Sequence, residues 1–256
     1  MEKSNIEELL NWEELSAYAE THSTRSLVAY PSSIEDCLKI MDYSKKRGLS
    51  ICNRAGGYTY GDMILNNNQV VLNLSKMNKV LSWDKRSGEI IVEPGVEFAD
   101  VFKLGLIENW TLNSCPGGMN VSIGGAVSNN VHGKDSWRNG NFGNQVLQIK
   151  ILLSDGSVKI VDRITNDRLF RAIIGGMGLL GIIIEIKLQL SKIPSPFVKE
   201  KSISVSNIKE SLDYLDNFKD NNDFSVAWVD AFKTGNNLGR GFVTAAKWIE
   251  TERKIS

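Results

Sequence analysis

Three glycine clusters, each set against a strand-like segment, limit what this chain can fold into more than any other feature of its sequence. The first, Asn53-Arg-Ala-Gly-Gly-Tyr-Thr-Tyr-Gly-Asp62, follows the apolar run Leu49–Asn53. Glycine reaches positive φ without a Cβ penalty and lets the backbone lie close to a ligand. Successive N–H groups in such a turn form a concave nest for anionic oxygens. An ordinary tight turn has the same composition, so this cluster alone leaves both readings open. The second comprises Pro116-Gly117-Gly118, Ser122-Ile-Gly-Gly-Ala126 and Asn129-Asn-Val-His-Gly133. Its small residues Gly124, Gly125, Ala126 and Ser128 leave room for a flat ring against the backbone. The third, Gly175-Gly-Met-Gly-Leu-Leu-Gly181, contains a literal G-x-G-x-x-G at Gly176, Gly178 and Gly181. That motif marks a Rossmann turn only when a strand precedes it and a helix follows. Here the helical pattern RLFRAII precedes and the β-branched run IIIEIKL follows. The glycines therefore read as a helix-to-strand turn packed close to a ligand.

Helix and strand patterns alternate around these clusters. An amphipathic helix is predicted over residues 6–20. A second begins after Pro31, with Ser32 and Glu35 as a capping box, Ile34, Cys37, Leu38, Ile40 and Met41 as its apolar stripe, and Gly48 as its stop. Strands are predicted at Val70–Leu74, Lys79–Asp84 and Glu89–Glu93, the last two turning through Ser87-Gly88, and a helix at Phe98–Glu108. The stretch from Cys115 to Val146 has no core periodicity, which in so long a segment usually marks function. A hairpin follows, Gln148–Leu153 and Val158–Val161 around Asp155-Gly156, then a helix at Asp167–Ile174 and a strand at Ile182–Leu190. Pro194 and Pro196 mark a boundary. Beyond them, Ile203–Val205, a helix over 207–219, Ser225–Ala231 and Gly241–Trp248 read as an incomplete α+β unit with few visible strand partners.

Charge and cysteine usage exclude several classes. The 30 basic and 30 acidic residues cancel, so no positive field points to nucleic acid. The three cysteines, Cys37, Cys52 and Cys115, stand at neither disulfide-framework nor metal-ligand spacing and read as thiols of a reducing compartment. The histidines, His22 and His132, have no partner at ligand spacing, so no metal is expected. The acidic N-terminus lacks the basic start and apolar core of a signal peptide. The longest apolar run, Leu179–Ile184, is too short to span a bilayer. A cytoplasmic protein is expected, with peripheral membrane association left open.

The three clusters, in this order and context, resemble the FAD-binding domain of the vanillyl-alcohol-oxidase and p-cresol-methylhydroxylase (PCMH) family over roughly residues 25–195. The residues that carry the likeness are PSSIED, AGGYTYGD, CPGG, SIGGAVSNNVHG and GGMGLLGII. Within the family, IGGAVSNNVHGKDSWRNGNFGNQV and SVAWVDAF are most similar to decaprenylphosphoryl-β-D-ribose-oxidase-like proteins, with aldonolactone oxidases as more distant cousins. The resemblance implies an α+β fold: a helical N-terminal extension (1–24), a PCMH-type FAD-binding domain of two α+β subdomains (25–195), and the start of a substrate domain (196–256). It implies an FAD-dependent oxidoreductase acting on a hydroxyl carbon of a sugar or lipid-linked sugar, with a reductase as partner if the reaction is half of an epimerisation. The alternatives are an aldonolactone-oxidase-like enzyme and a non-catalytic FAD-binding module.

The resemblance also assigns residues. Cofactor contacts fall to Asn53, Arg54, Ala55, Gly56, Gly57, Tyr58, Thr59, Tyr60, Gly61 and Asp62. They continue with Gly117, Ser122, Ile123, Gly124, Gly125, Asn129, His132, Gly133, Gly178 and Ile183. Tyr60, Lys134 and Trp228 match positions on the substrate side. His132 and Lys134 are the candidates for the base that removes the hydroxyl proton. FAD is expected without a covalent bond, because Tyr58 stands where flavin-linking relatives carry histidine. The purified protein should therefore take up FAD and give no tight-binding signal on titration with NADH. Tight NADH binding to flavin-free protein would restore the Rossmann reading.

Overall fold

Leu10–Ser16 (β1) and Ser23–Ala29 (β2) form an antiparallel hairpin, with Leu10 opposite Ala29 and Ser16 opposite Ser23. The computed structural model describes residues 6–253. Residues 1–5 of the expected N-terminal extension and 254–256 of the tail lie outside the described residues. The helix expected over residues 6–20 is absent: one 3-10 turn at Ile6–Leu9 leads straight into β1. Seven cross-strand pairs with β2 outweigh a short helical periodicity, a case of tertiary context overriding a weak local pattern.

Ile34–Arg47 (α1) starts one residue later than its sequence signature suggests. Ser33, not Ser32, is the N-cap and accepts from the Asp36 N–H at 3.1 Å. Asp36, not Glu35, reaches back to the N–H and hydroxyl of Ser32, each at 3.1 Å. The capping logic holds in a shifted register. The helix buries Cys37 and Ile40 and stops at Gly48, whose φ of +65° suits a residue without Cβ. Ile51–Arg54 (β3) and Val70–Asn73 (β4) complete a four-stranded sheet of order β1-β2-β4-β3, with β4 parallel to both its neighbours and wholly buried.

Val80–Asp84 (β5) and Glu89–Val92 (β6) begin the second sheet. Phe98–Gly105 (α2), Trp110–Thr111 (β7), Ile123–Asn129 (α3) and a single turn at Ser136–Asn139 (α4) follow. Val146–Leu152 (β8), Val158–Asp162 (β9), Asp167–Ile173 (α5) and Ile182–Gln189 (β10) close it. Its order is β5-β6-β10-β8-β9, antiparallel throughout. Ser191–Lys192 (β11) pairs separately with β7. The helix α3 lies within the stretch that reads as irregular. Two of its seven residues are glycine, which hides the pattern, yet Ile123, Ala126 and Val127 are buried and Ser122 caps it.

The two sheets have separate cores joined through β10. Ile182 and Ile184 pack with Cys37, Ile40, Val70 and Leu72 of the first sheet and α1. Ile183, Ile186 and Leu188 pack with Phe98, Ile123, Phe142 and Phe170 of the second. A register shift between Ile183 and Glu185 marks the changeover.

Val198–Val205 (β12), Ile208–Phe218 (α6), Phe224–Val229 (β13) and Gly241–Trp248 (β14) form a three-stranded sheet of order β12-β14-β13 with α6 packed on it. Two polar contacts tie this unit to the second subdomain. The Ser225 N–H donates to the Lys134 carbonyl at 2.9 Å, and Arg138 pairs with Asp223 at 2.6 Å.

Phe98 is fully buried, 5.3 Å from the Phe142 ring. Phe98→Ala should cost about 3–5 kcal/mol through lost burial and a residual cavity. The thermal unfolding midpoint should fall by on the order of 10 °C, and calorimetry showing no change would contradict this placement of the core.

Candidate functional site

A cleft of about 600 Å³ opens where the two subdomains meet, a size typical of cofactor and small-molecule sites. The loop after β3 forms one wall, α3 and the segment following it another, and the turn before β10 a third. Each wall carries one of the three glycine clusters.

The loop after β3 shows why its composition matters. Gly57 has φ +77°, and a Cβ there would stand 2.5 Å from Nη2 of Arg54. The guanidinium therefore lies directly beneath the loop's backbone. Among the described residues, no protein acceptor meets the N–H groups of residues 57–61. Free N–H donors on a loop that lines a cleft, with a cation beside them, are the ingredients of an anion-binding nest. Arg54 is the one charged side chain in the lining, and no carboxylate opposes it. Burial pulls its pKa below the usual arginine value, partly offset by Tyr30 and Cys52.

On the facing wall, α3 is pressed against the chain after β6. The Gly124 N–H donates to the Pro94 carbonyl at 2.8 Å, and a Cβ at Gly124 would lie 2.6 Å from that proline's ring. No larger residue fits there. Ser122 Oγ accepts from Gly125 N–H at 3.3 Å and from Gly56 N–H at 3.5 Å, linking the first cluster to the second. Gly117 has nothing within 4 Å of where a Cβ would project.

The third cluster is a helix-to-strand turn between α5 and β10, as its flanks predicted. Its backbone is sewn to the other walls. Gly175 N–H donates to Val127 O at 3.0 Å and Met177 N–H to Ser128 O at 2.8 Å. The Asn53 amide donates to the carbonyls of Gly178 and Gly181 at 2.9 and 3.0 Å. Asn53 Oδ1 is buried without a protein partner, an unmet acceptor of the kind a ligand or water satisfies.

Asn53, Arg54, Ala55, Gly56, Gly57, Tyr58, Thr59, Tyr60 and Gly61 all line the cleft, as do Gly117, Ser122, Gly124, Gly125, Asn129, His132, Gly178 and Ile183. Five expected site residues stand outside the lining: the cofactor contacts Asp62, Ile123 and Gly133, and the substrate-side Lys134 and Trp228. Asp62 uses its carbonyl to accept from the Leu65 N–H. Ile123 is fully buried in the second core. Gly133 is hemmed in by Asp135 and the Ser114–Cys115 backbone, at 2.6–2.7 Å from an added Cβ. Lys134 lies one step beyond, its carbonyl held by Ser225. Trp228, 67% exposed on β13, faces Phe242 in a separate shallow pocket with Asp230 and Arg240. The structure thus brings Tyr60 and His132 to one cleft and leaves Trp228 outside it. Pro94 and Val121 line the cleft without having stood out in the sequence. The Glu93-Pro-Gly95 turn signal was the one local cue for the first of them. Among the described residues no cluster of His, Cys, Asp and Glu could hold a metal, and no helix is long and apolar enough to cross a membrane.

A two-subdomain α+β fold enclosing an anion nest and a glycine-lined slot defines a domain that binds a nucleotide cofactor. The family model described as FAD binding domain matches residues 26–162, and the chain belongs to that family, of the PCMH type. It is 27% identical over 203 residues to decaprenylphosphoryl-β-D-ribose oxidase of Mycolicibacterium smegmatis, covering 78% of this chain and 44% of the relative. It is 24% identical over 213 residues to mouse L-gulonolactone oxidase, covering 82% and 47%. The fold superposes with a TM-score of 0.73 on 6-hydroxy-D-nicotine oxidase from Arthrobacter nicotinovorans, at 20% identity, over 96% of this chain and 56% of that one. The chain thus spans less than half the length of these two curated relatives. The residues present fit the cofactor: unpaired N–H donors beside Arg54 suit a pyrophosphate, and the wall at Gly117 and Gly125 leaves space for a flat ring.

Cys115 sits just behind this wall, its thiol directed at the Pro116 carbonyl at 3.3 Å. Burial pushes its pKa up to about 11, against a smaller lowering by Lys134. The thiolate is the reactive form. Below that pKa the group is protonated, so alkylation of the native protein should be slow at pH 7. It should rise roughly tenfold per pH unit up to pH 9.5. Iodoacetamide labelling with peptide mapping tests this, and fast labelling of Cys115 at neutral pH would contradict the burial.

Proposed function

We propose that this chain holds FAD non-covalently for an oxidoreductase that oxidises a hydroxyl-bearing carbon of a sugar, free or lipid-linked. The observation that carries the reading is the row of unpaired N–H groups from residue 57 to 61 above the Arg54 guanidinium. Such a site favours a dianionic pyrophosphate over a neutral ligand. In this reading Arg54 and the loop backbone hold the diphosphate. Ser122, Gly124 and Gly125 shape the slot for the ring system, and Asn53 Oδ1 accepts a donor from the cofactor. When bound, the flavin supplies the two-electron acceptor that amino-acid side chains lack.

The protein's own part in the chemistry is orientation and proton removal. A base must come within hydrogen-bond reach of the substrate hydroxyl. His132 has an exposed ring at the lining, whereas Lys134 stands behind it, so His132 is the better-placed candidate. Tyr60, 72% exposed at the lining, is placed to meet substrate at the mouth. The sugar class is supported by the names of relatives, which include a decaprenylphosphoryl-ribose oxidase and L-gulonolactone oxidases. The latter support an aldonolactone as the second reading. A reductase acting on the oxidised product would complete an epimerisation. Three free, separated thiols support a reducing compartment such as the cytoplasm.

Non-covalent attachment has its own support. Tyr58 occupies the place after Gly56-Gly57, and Cys115 lies outside the lining with its thiol protonated. Denaturing the yellow protein in guanidinium and removing the polypeptide should leave flavin in the supernatant with the mass of free FAD. A tryptic peptide carrying flavin mass on His132 or Cys115 would overturn this. Adding a sugar alcohol or an aldonolactone anaerobically to the holoprotein should bleach its visible absorption, and the more effective class decides between the two substrate readings.

A further inference from the structure

The first strand and the turn of the N-terminal hairpin lie before the matched FAD-binding segment, which starts at residue 26, yet they reach the phosphate loop at three points. The Tyr18 N–H donates to the Thr59 carbonyl at 3.0 Å. The Ser16 carbonyl accepts from Nη1 of Arg54 at 3.1 Å. The Tyr18 ring lies 5.4 Å from the rings of both Tyr58 and Tyr60, edge-on to the latter. Ala17 between them is 2% exposed, so the turn is seated and not merely adjacent.

These contacts matter because the loop has so few others. Among the described residues, two hydrogen bonds join residues 55–61 to the rest of the chain: Tyr18 N–H to Thr59, and Gly56 N–H to Ser122 at 3.5 Å. The second is at the long limit for such a bond. A nest binds an anion well only when its donors are held in place beforehand, because ordering them on binding subtracts from affinity. The geometry points to Tyr18 as a positioning residue for the cofactor. The hairpin turn clamps the loop's backbone through Thr59, its cation through Ser16 and its aromatic side chains through the Tyr18 ring. This rests on the FAD reading above and extends the site to a segment nothing else assigns to it.

The Tyr18 hydroxyl has no protein partner among the described residues, so the ring is what matters. Tyr18→Phe keeps the clamp and Tyr18→Ala removes its side-chain part. The side chain is 54% exposed, so neither change should move the apoprotein's unfolding midpoint by more than about 2 °C. Two measurements decide the matter. The first is FAD affinity of deflavinated protein, read by quenching of flavin fluorescence. Tyr18→Ala should raise Kd about tenfold, from two lost aromatic contacts, and Tyr18→Phe should stay within about twofold of the parent. The second needs no cofactor: limited chymotrypsin digestion of the apoprotein with mass mapping. Cleavage after Tyr58 or Tyr60 should be several-fold faster in Tyr18→Ala and unchanged in Tyr18→Phe. Parent-like FAD affinity in Tyr18→Ala overturns the proposal, even with faster cleavage. So does equal weakening in Tyr18→Phe, or a loss of affinity matched by a general fall in the unfolding midpoint. A parent protein that takes up no FAD while its loop stays protected refutes the FAD reading itself, and the proposal with it, leaving only a structural clamp.

Discussion

Burial of both faces of β10 at its start, Ile182–Ile184, is the interaction on which the rest of the structure depends. Most antiparallel strands in small domains show one face to solvent and alternate in polarity. Ile182, Ile183 and Ile184 do not alternate, because neighbouring residues serve different cores. The bulge between Ile183 and Glu185 lets the strand change allegiance without breaking its ladder to β8. The two subdomains are thus joined by packed hydrocarbon, and the cleft opens at the start of that join. Gly181, with its φ of +150°, and Gly178 bring the chain into β10 with carbonyls free to receive the Asn53 amide.

From that join follows the site's electrostatic character. The backbone around the cleft is pinned from several sides: Asn53 to the third glycine turn, Gly175 and Met177 to the end of α3, Gly124 to Pro94. What remains unpinned is the row of donors between residues 57 and 61. These residues line the cleft, partly or wholly exposed, beside the Arg54 guanidinium, so their donors are free to meet a ligand. The same wall excludes side chains through glycine and carries no carboxylate. Anion preference is therefore a property of backbone geometry more than of surface charge, consistent with a chain whose net charge is zero.

Much of this was legible in the sequence, and the failures have physical reasons. The glycine clusters were readable because a backbone that must approach a ligand closely leaves a compositional trace. The false Rossmann motif was readable through its flanks, with the α5 pattern before and the β10 pattern after. The segment from residue 10 to 16 was not. It is an edge strand whose identity depends on β2, and its acidic, loosely periodic sequence looks helical in isolation. The helix α3 was hidden for the opposite reason, since Gly124 is demanded by Pro94, which lies outside the helix. The one-residue shift of the α1 cap shows the limit of a motif when Ser32 and Ser33 compete side by side. Placing Lys134 and Trp228 required three dimensions, because the Ser225 backbone bond and the Arg138–Asp223 pair, both distant in sequence, show where the third sheet attaches.

The Asn53 amide bonds span 125 and 128 residues of sequence, and this separation sets an order of events on the ribosome. The strands and helix of the first subdomain up to β4 emerge early, but Ile182 and Ile184, which cap their core, come more than a hundred residues later. At translation rates of about 5–20 residues per second, the nascent first half waits roughly 6–25 s with its apolar face uncovered. Until the third glycine turn leaves the exit tunnel, the nest has no anchored base. Throughout that interval the apolar face of the first subdomain is open to association, and the cofactor site is complete only once the third glycine turn has emerged.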